Sequence, residues 1–346
     1  MNEAKAQIYR CPYTQEALRL EEPLELQGTE VLTGALVSVS GRRYPVQKGI
    51  PHLIRAEEEA MNDKERQEFE YYQAASDTYD AVMDWLFESF YEDEEAIREQ
   101  MLSALHLEPA FRVLEVGCGT CRDSVHIARR LGAGGGHRGE LFLQDLSPNM
   151  LAVGRERMRR SGPFACGIEY FVGNAAHLPF PDGFFDALFH FGGLNLFSGK
   201  KQALEEMTRV VRPGGRVVVG DESLAPWLRE TDYGRILLNS NALYQHPVPI
   251  DCLPGNARDV NVRWLLGNAF YLIDYTVGEG TPRMDLDLPI LGARGGTHRT
   301  RYYGRLEGVT VEAKEMAERA ARELGISRHE WLDRAVRAAA ARDLGE

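Results

Sequence analysis

The stretch Val113-Leu114-Glu115-Val116-Gly117-Cys118-Gly119-Thr120-Cys121-Arg122-Asp123 constrains the fold more than any other part of this 346-residue chain. A β-branched apolar run ends at an acidic residue, two glycines stand one residue apart, and a helical pattern follows. A strand entering a glycine turn lets backbone approach a ligand closely, because no Cβ intervenes. The helix start beyond it presents free N–H groups to anything negative or polar. This predicts a nucleotide-type site at the C-terminal edge of a parallel sheet.

The spacing narrows the nucleotide. A dinucleotide turn needs a small third residue where helix and strand pack, and Arg122 stands there instead. Glu115 precedes the glycines, placed to take an ammonium group. Asp145, followed by Leu146, ends the next apolar run, where a carboxylate accepts two ribose hydroxyls. An amino acid at one end and a ribose at the other describes S-adenosylmethionine, with S-adenosylhomocysteine as its product. Gly117, Cys118 and Gly119 would hold the methionine end.

Later segments continue the pattern. Residues 170–175, with Asn174-Ala175 at their polar end, read as a third strand. Leu178-Pro179-Phe180-Pro181-Asp182-Gly183 reads as a turn. Residues 185–191 read as a mostly apolar fourth strand, suited to a sheet covered on both faces. A helix is expected from 200 to 211, broken by Arg212-Pro213-Gly214-Gly215 before a fifth strand at 216–221. In this order, these motifs make residues 111–221 resemble the doubly wound core of S-adenosylmethionine-dependent methyltransferases, including the ubiquinone/menaquinone-biosynthesis group. The resemblance implies an α/β fold, with a seven-stranded, mostly parallel sheet. Cys121 departs from the family, which usually has a third glycine there.

Composition sets the class. The 44% hydrophobic content suffices for a buried core. No run of about 18 apolar residues occurs, so no membrane span is expected. The polar start, Met1-Asn2-Glu3-Ala4-Lys5, does not read as a signal peptide. Five irregularly spaced cysteines fit a reducing cytoplasm better than a disulfide framework. The Cys118/Cys121 spacing reads as an accident of the cofactor loop. A net charge of −12 disfavours nucleic acid as a partner.

Four segments are expected: a small β-rich module at 1–55, a helical cofactor lid at 56–108, the methyltransferase domain at 109–308, and a helical extension at 309–346. The first, from Arg10-Cys11-Pro12-Tyr13-Thr14 to Tyr44-Pro45-Val46-Gln47-Lys48-Gly49-Ile50-Pro51, resembles the zinc-ribbon-like module that activates several methyltransferases. Thr14 replaces its second cysteine and 15–55 has no cysteine pair, so no metal is expected. The second carries Phe69, Tyr71, Tyr72 and Tyr79. By the resemblance to the methyltransferase core, Tyr72 and Tyr79 become candidates for contact with the cofactor, where an aromatic face attracts a sulfonium. Gly132 to Gly136 reads as a flexible loop.

Residues 223–260 read as a substrate insert, with one helix over 223–245 carrying Trp227 and Tyr244, then a Pro-rich loop. Two strands at 261–266 and 270–275 surround a Gly267-Asn268 hairpin turn. The basic segment 294–301, with His298 and Arg299, would clamp an acidic group. At 309–344, two helices meet at an N-cap, Ser327, with Glu330 three residues on. They vaguely resemble ribbon–helix–helix proteins, but their mixed charge favours homodimer formation or simple packing over DNA reading.

Methyl transfer needs in-line geometry and exclusion of water, and a base where the acceptor must lose a proton. His190, at the end of the fourth strand, Asn195 behind it and Glu222, ending the fifth, are the candidate catalytic groups. His190 also adjoins the expected cofactor. The sequence therefore reads as a cytoplasmic methyltransferase for a small aromatic or carboxylated molecule. Three other readings share the motifs: a methyltransferase for tRNA or protein recruited by the N-terminal module, a non-methyl transfer from the same cofactor, and a cofactor-binding DNA regulator.

Overall fold

The computed structural model describes residues 1–54, 70, 74, 78–132, 139–304 and 308–346. They divide into two compact units, Met1–Thr281 and Pro282–Glu346. The expected methyltransferase segment ran to 308, so its last part falls in the second unit. Tyr72, named above, lies outside the described residues, as do Phe69, Tyr71 and most of the 132–136 glycine tract.

The first unit is built on two sheets. The smaller is an antiparallel meander of β1 (Leu18–Gln27), β2 (Glu30–Ser38), β3 (Arg43–Gln47) and β4 (Ile50–Pro51). The larger has seven strands: β5 (Arg112–Val116), β6 (Glu140–Asp145), β7 (Gly167–Val172), β8 (Phe185–Phe191), β9 (Val211–Glu222), β10 (Ala257–Leu265) and β11 (Phe270–Val277). Their order is β10-β11-β9-β8-β5-β6-β7, and only the pairs of β11 are antiparallel. The order reverses between β5 and β8. In open α/β sheets, that switch point is where ligands bind.

Side chains alternate between the two faces of each strand. Val113, Leu143, Phe189, Val218 and Leu272 share one core with residues of α1 (Tyr79–Ser89), α2 (Glu94–Ser103), α3 (Arg122–Arg130) and α4 (Pro148–Ser161). Leu114, Val116, Phe142, Leu188, Val219 and Ile273 face the other core, with α5 (Lys200–Arg209). The N-terminal module joins this second core rather than standing apart. Tyr9 packs edge-on to Phe171, with ring centroids 6.0 Å apart, and lies 5.5 Å from Phe180. The Leu53 amide donates to the Val172 carbonyl at 2.7 Å, so the module also covers the free edge of β7. Cys11 is buried, with its Sγ 3.1 Å from the Tyr44 hydroxyl.

Three expectations from the sequence are corrected. The third strand ends at Val172, before the Asn174-Ala175 pair. Arg212 to Gly215 does not precede the fifth strand but bulges within it, because Phe185 pairs with Val211 and Ala187 with Arg216. The single helix over 223–245 is a short turn at Pro226–Leu228, then α6 (Asp232–Ser240), then a second turn at Ala242–Gln245. Asn241 is extended (φ −147°) and its Oδ1 accepts the Leu243 amide, which restarts the turn instead of continuing the helix.

In the second unit, α7 (His298–Tyr303) precedes α8 (Val311–Glu323) and α9 (Arg328–Leu344). Ser327 caps α9 by accepting the Glu330 amide at 3.2 Å. Among the described residues, no helix is long and apolar enough to cross a membrane.

Candidate cofactor and acceptor site

The glycine turn is held from below. Gly117 (φ +65°) and Gly119 (φ +51°) adopt left-handed backbone, which favours glycine. A Cβ on Gly117 would also lie 3.3 Å from the His190 ring. Gln144, buried on β6, accepts the Gly117 amide at 3.0 Å and donates through Nε2 to the Gly173 carbonyl. It thereby ties the ends of β5 and β7 across β6. The sequence reading missed Gln144, although it stands next to Asp145.

Cys121 takes the left-handed conformation (φ 62°) where the family usually has glycine. Its thiol is buried against Gly154 of α4: a Cβ on Gly154 would lie 2.5 Å from Sγ. Gly154 thus makes room for the cysteine. Cys118 is buried too, with its Sγ 3.9 Å from that of Cys121, and burial pushes its thiol well above the usual range.

Glu115 lies on the α1–α3 face, nearly fully buried, and its Oε2 has no hydrogen-bond partner. Burial, then the nearby Asp123 charge, push its carboxyl well above the ordinary range. A buried oxygen of this kind lacks a donor, and an ammonium supplies one. Asp145 accepts the Gly119 amide through Oδ2 and the Ser147 amide through Oδ1, both at 2.8 Å. Each oxygen keeps a lone pair for a hydroxyl. Burial raises Asp145, against the pull of these amides. Leu146 follows it, half-buried. Asn174 lies just past β7, its Oδ1 accepting the Ala176 amide at 2.8 Å, and Ala175 is buried beside it.

Glu115, Asp145 and Asn174 therefore stand at the same edge of three neighbouring strands. At about 4.8 Å between strands, they span roughly 10 Å. The residues would fit S-adenosylmethionine, with Glu115 to take its ammonium, Asp145 its ribose hydroxyls, and Asn174 and Ala175 beside its base.

Beyond the switch point, Glu222 points to the same face as Glu115, opposite Phe270 of β11. Phe270 is the hub of an aromatic group. Its ring centroid is 5.9 Å from Phe191, 5.9 Å from Tyr244 and 6.4 Å from Phe90 at the end of α1. Burial, then the neighbouring Asp221, push the Glu222 carboxyl well above its usual range. Glu222 in turn bears electrostatically on Tyr79 and Tyr244, whose hydroxyls burial already raises. The sequence reading named Glu222, Tyr79 and Tyr244 but missed Phe90, Phe191 and Phe270, whose convergence depends on strand register.

Other candidates sit elsewhere. His190 belongs to the opposite face from Glu222. It is fully buried, 5.4 Å from Phe197, and its Nδ1 donates to the Val116 carbonyl at 2.8 Å. Burial lowers its pKa, so the ring is neutral, and Nε2 has no partner. This address makes it a floor beneath Gly117 rather than a group at the acceptor. Asn195 is also engaged: its amide donates to the Glu222 carbonyl at 2.7 Å and its Oδ1 accepts from Lys200 at 2.9 Å. Its backbone N–H, with that of Gly193, donates to the buried Asp221. The 192–196 turn is thereby fixed to the end of β9.

Trp227 is largely exposed and meets Trp264 edge-on at 5.0 Å, on the Tyr271 side of the sheet, away from Tyr244. His298 is exposed in the second unit. Arg299 there forms a two-pronged pair with Asp287, at 2.8 and 3.1 Å. Among the described residues, no group of three or more acidic, histidine or cysteine side chains is arranged to hold a metal.

Residues 113–215 match the family described as "Methyltransferase domain". The ubiquinone/menaquinone biosynthesis C-methyltransferase UbiE of Pectobacterium carotovorum subsp. carotovorum (strain PC1) is 42% identical over 108 residues, 31% of this chain and 41% of that protein. The demethylmenaquinone methyltransferase of Bacillus cytotoxicus is 34% identical over 158 residues, 46% of this chain and 63% of that protein. The match thus spans less than two thirds of either relative. Among solved structures, Haemonchus contortus phospholethanolamine N-methyltransferase 2 aligns with a TM-score of 0.43 and 13% identity, over 56% of this chain and 57% of that one.

Proposed function

We propose, from the methyltransferase domain at 113–215, that this chain is an S-adenosylmethionine-dependent methyltransferase acting on a small, largely apolar, ring-bearing acceptor. The observation that carries the cofactor is the buried Glu115 carboxyl, whose Oε2 has no hydrogen-bond partner, beside the glycine turn and one strand from Asp145. S-adenosylmethionine supplies an electrophilic methyl on a sulfonium when bound. The chain itself orients the ligand between Glu115 and Asp145 and keeps water out beneath α1.

The acceptor reading rests on the aromatic group around Phe270. Four rings and a single carboxyl suit a flat apolar molecule with one polar handle. The relatives named for quinone-pathway C-methylation support the same class. Glu222, with its raised pKa, would take the proton that a phenolic acceptor must lose as its ring becomes methylated. The carboxylated acceptor, which relied on Arg299, has less support because Asp287 engages that guanidinium.

The test is methyl-labelled S-adenosylmethionine offered with a reduced naphthoquinone lacking the ring methyl, with bulk tRNA, or with cell protein. Label in the naphthoquinol supports the proposal. Label confined to tRNA or protein would replace it with the macromolecular reading.

A further inference from the structure

Arg122 was out of place in the sequence, a long cation where a dinucleotide turn wants glycine. The structure gives it work. Its Nε donates to Glu94 at 2.8 Å, and its terminal nitrogens reach Glu94, Asp84 at 2.6 Å, and both the carboxylate and carbonyl of Asp80 at 3.3 Å. Asp84 and Asp80 are one turn apart on α1, and Glu94 opens α2. One guanidinium therefore joins the helix that follows the cofactor turn to both helices in front of β5.

Asp80 is the centre of a second, tighter junction. Its Oδ1 also accepts the hydroxyl of Thr120, inside the glycine turn, at 2.8 Å. Its Oδ2 accepts from Arg157 of α4. Arg157 in turn donates through Nε to the Thr120 carbonyl at 2.8 Å. The carboxylate thus binds α1 to the cofactor turn, to α3 and to α4 at once. Burial pushes the hydroxyl of its neighbour Tyr79 upward, and Thr120 belongs to the glycine turn, so the first turn of α1 lies against the cofactor turn.

We infer that Asp80 is the latch of a cofactor lid: its three-way junction with Thr120, Arg122 and Arg157 holds the first turn of α1 closed over S-adenosylmethionine and sets how long the ligand stays. Asp80 is a positioning residue and touches no reacting atom. The inference rests on the cofactor reading above. The physical argument is that lifting the first turn of α1 breaks both partly buried ion pairs of Asp80 and its charge-assisted hydrogen bond together. Such bonds are the strong ones, and their loss appears mainly in the dissociation rate.

The experiment uses the full chain and S-adenosylhomocysteine as the probe, with association and dissociation rates measured by stopped flow. Asp80→Asn keeps the side-chain volume and removes the charge. It should release the probe about tenfold faster, as expected for one lost charge-assisted bond, with association changed far less. Hydrogen exchange of the α1 amides in the bound protein should quicken with it. Arg157→Gln, at a partly exposed position, should act the same way, and combining the two should add little. Should Asp80→Asn fail to fold, Arg157→Gln carries the test alone. High salt should speed release from the unaltered protein more than from either variant.

Unchanged release in a folded variant, even with a lowered melting temperature, would overturn the latch while leaving the cofactor reading intact. No binding of the probe by the unaltered protein would overturn the cofactor reading, and the latch with it.

Discussion

Asp145 accepts the amide N–H of Gly119 at 2.8 Å, so the carboxylate that would hold the ribose is oriented by the turn that would hold the methionine. The two halves of the site are therefore coupled through one hydrogen bond. Asp145→Ala should weaken S-adenosylhomocysteine binding by about 1.5–3 kcal/mol, roughly 10- to 150-fold, because it removes the ribose partner and frees the turn. Isothermal calorimetry measures this directly, and unchanged affinity would refute the assignment of Asp145.

Glu115 should make binding proton-linked. Burial raises its pKa in the free protein, which favours the protonated acid. An ammonium favours the carboxylate, so binding releases a proton wherever the free acid is protonated. Affinity should then rise with pH up to the raised pKa and level off above it. Calorimetry in buffers of different ionisation enthalpy reads the proton count. Glu115→Gln should abolish the release.

The core was readable because its signals are local. A strand ending in glycine, an acid at the next strand end, and turn residues between strands need no knowledge of distant partners. The fourth strand matches at both ends, Phe185 and Phe191. What escaped depends on register and face. His190 and Phe191 are adjacent in sequence, yet pleating sends one under Gly117 and the other toward Phe270. The Arg-Pro-Gly-Gly segment looked like a break and proved to be a bulge, because pairing of Val211 with Phe185 offsets its distortion. The role of Arg122 was invisible because its carboxylate partners lie 28 to 42 residues earlier.

His190→Ala should act on stability and cofactor affinity rather than on turnover at saturating cofactor. It removes the donor to the Val116 carbonyl and opens space beneath Gly117. A loss of about 1–3 kcal/mol in unfolding free energy is expected from a buried carbonyl left without its partner. A large fall in kcat with unchanged cofactor KM would return His190 to the chemistry.

Acid should loosen the attachment of α2 to α3. Burial would raise the Glu94 carboxyl, but its hydrogen bonds and charge pairing with Arg122 and Arg98 outweigh that and hold it at about 2. A carboxyl depressed on folding contributes stability that is complete above its unfolded value and is lost as pH falls through the folded one. Glu94→Gln should thus lower the melting temperature at pH 7 and have little effect near pH 2.

Glu222→Gln should reduce methyl transfer to a phenolic acceptor about 10²- to 10⁴-fold, the usual range for a lost acid–base group. S-adenosylhomocysteine affinity should remain nearly unchanged. In the unaltered protein, kcat/KM should climb with pH through the raised pKa of Glu222, since the ionised form takes the proton. A pH profile unaltered by the substitution would show that the proton goes elsewhere.

The most direct measurement is a crystal structure of the chain with S-adenosylhomocysteine. The ammonium should lie on Glu115, the ribose hydroxyls on Asp145 and the base beside Asn174 and Ala175. The sulfur should face the group formed by Phe90, Phe191, Tyr244, Phe270 and Glu222. A ligand bound with its sulfur turned toward His190 and Phe197, or lying away from Glu115 and Asp145, would contradict the account.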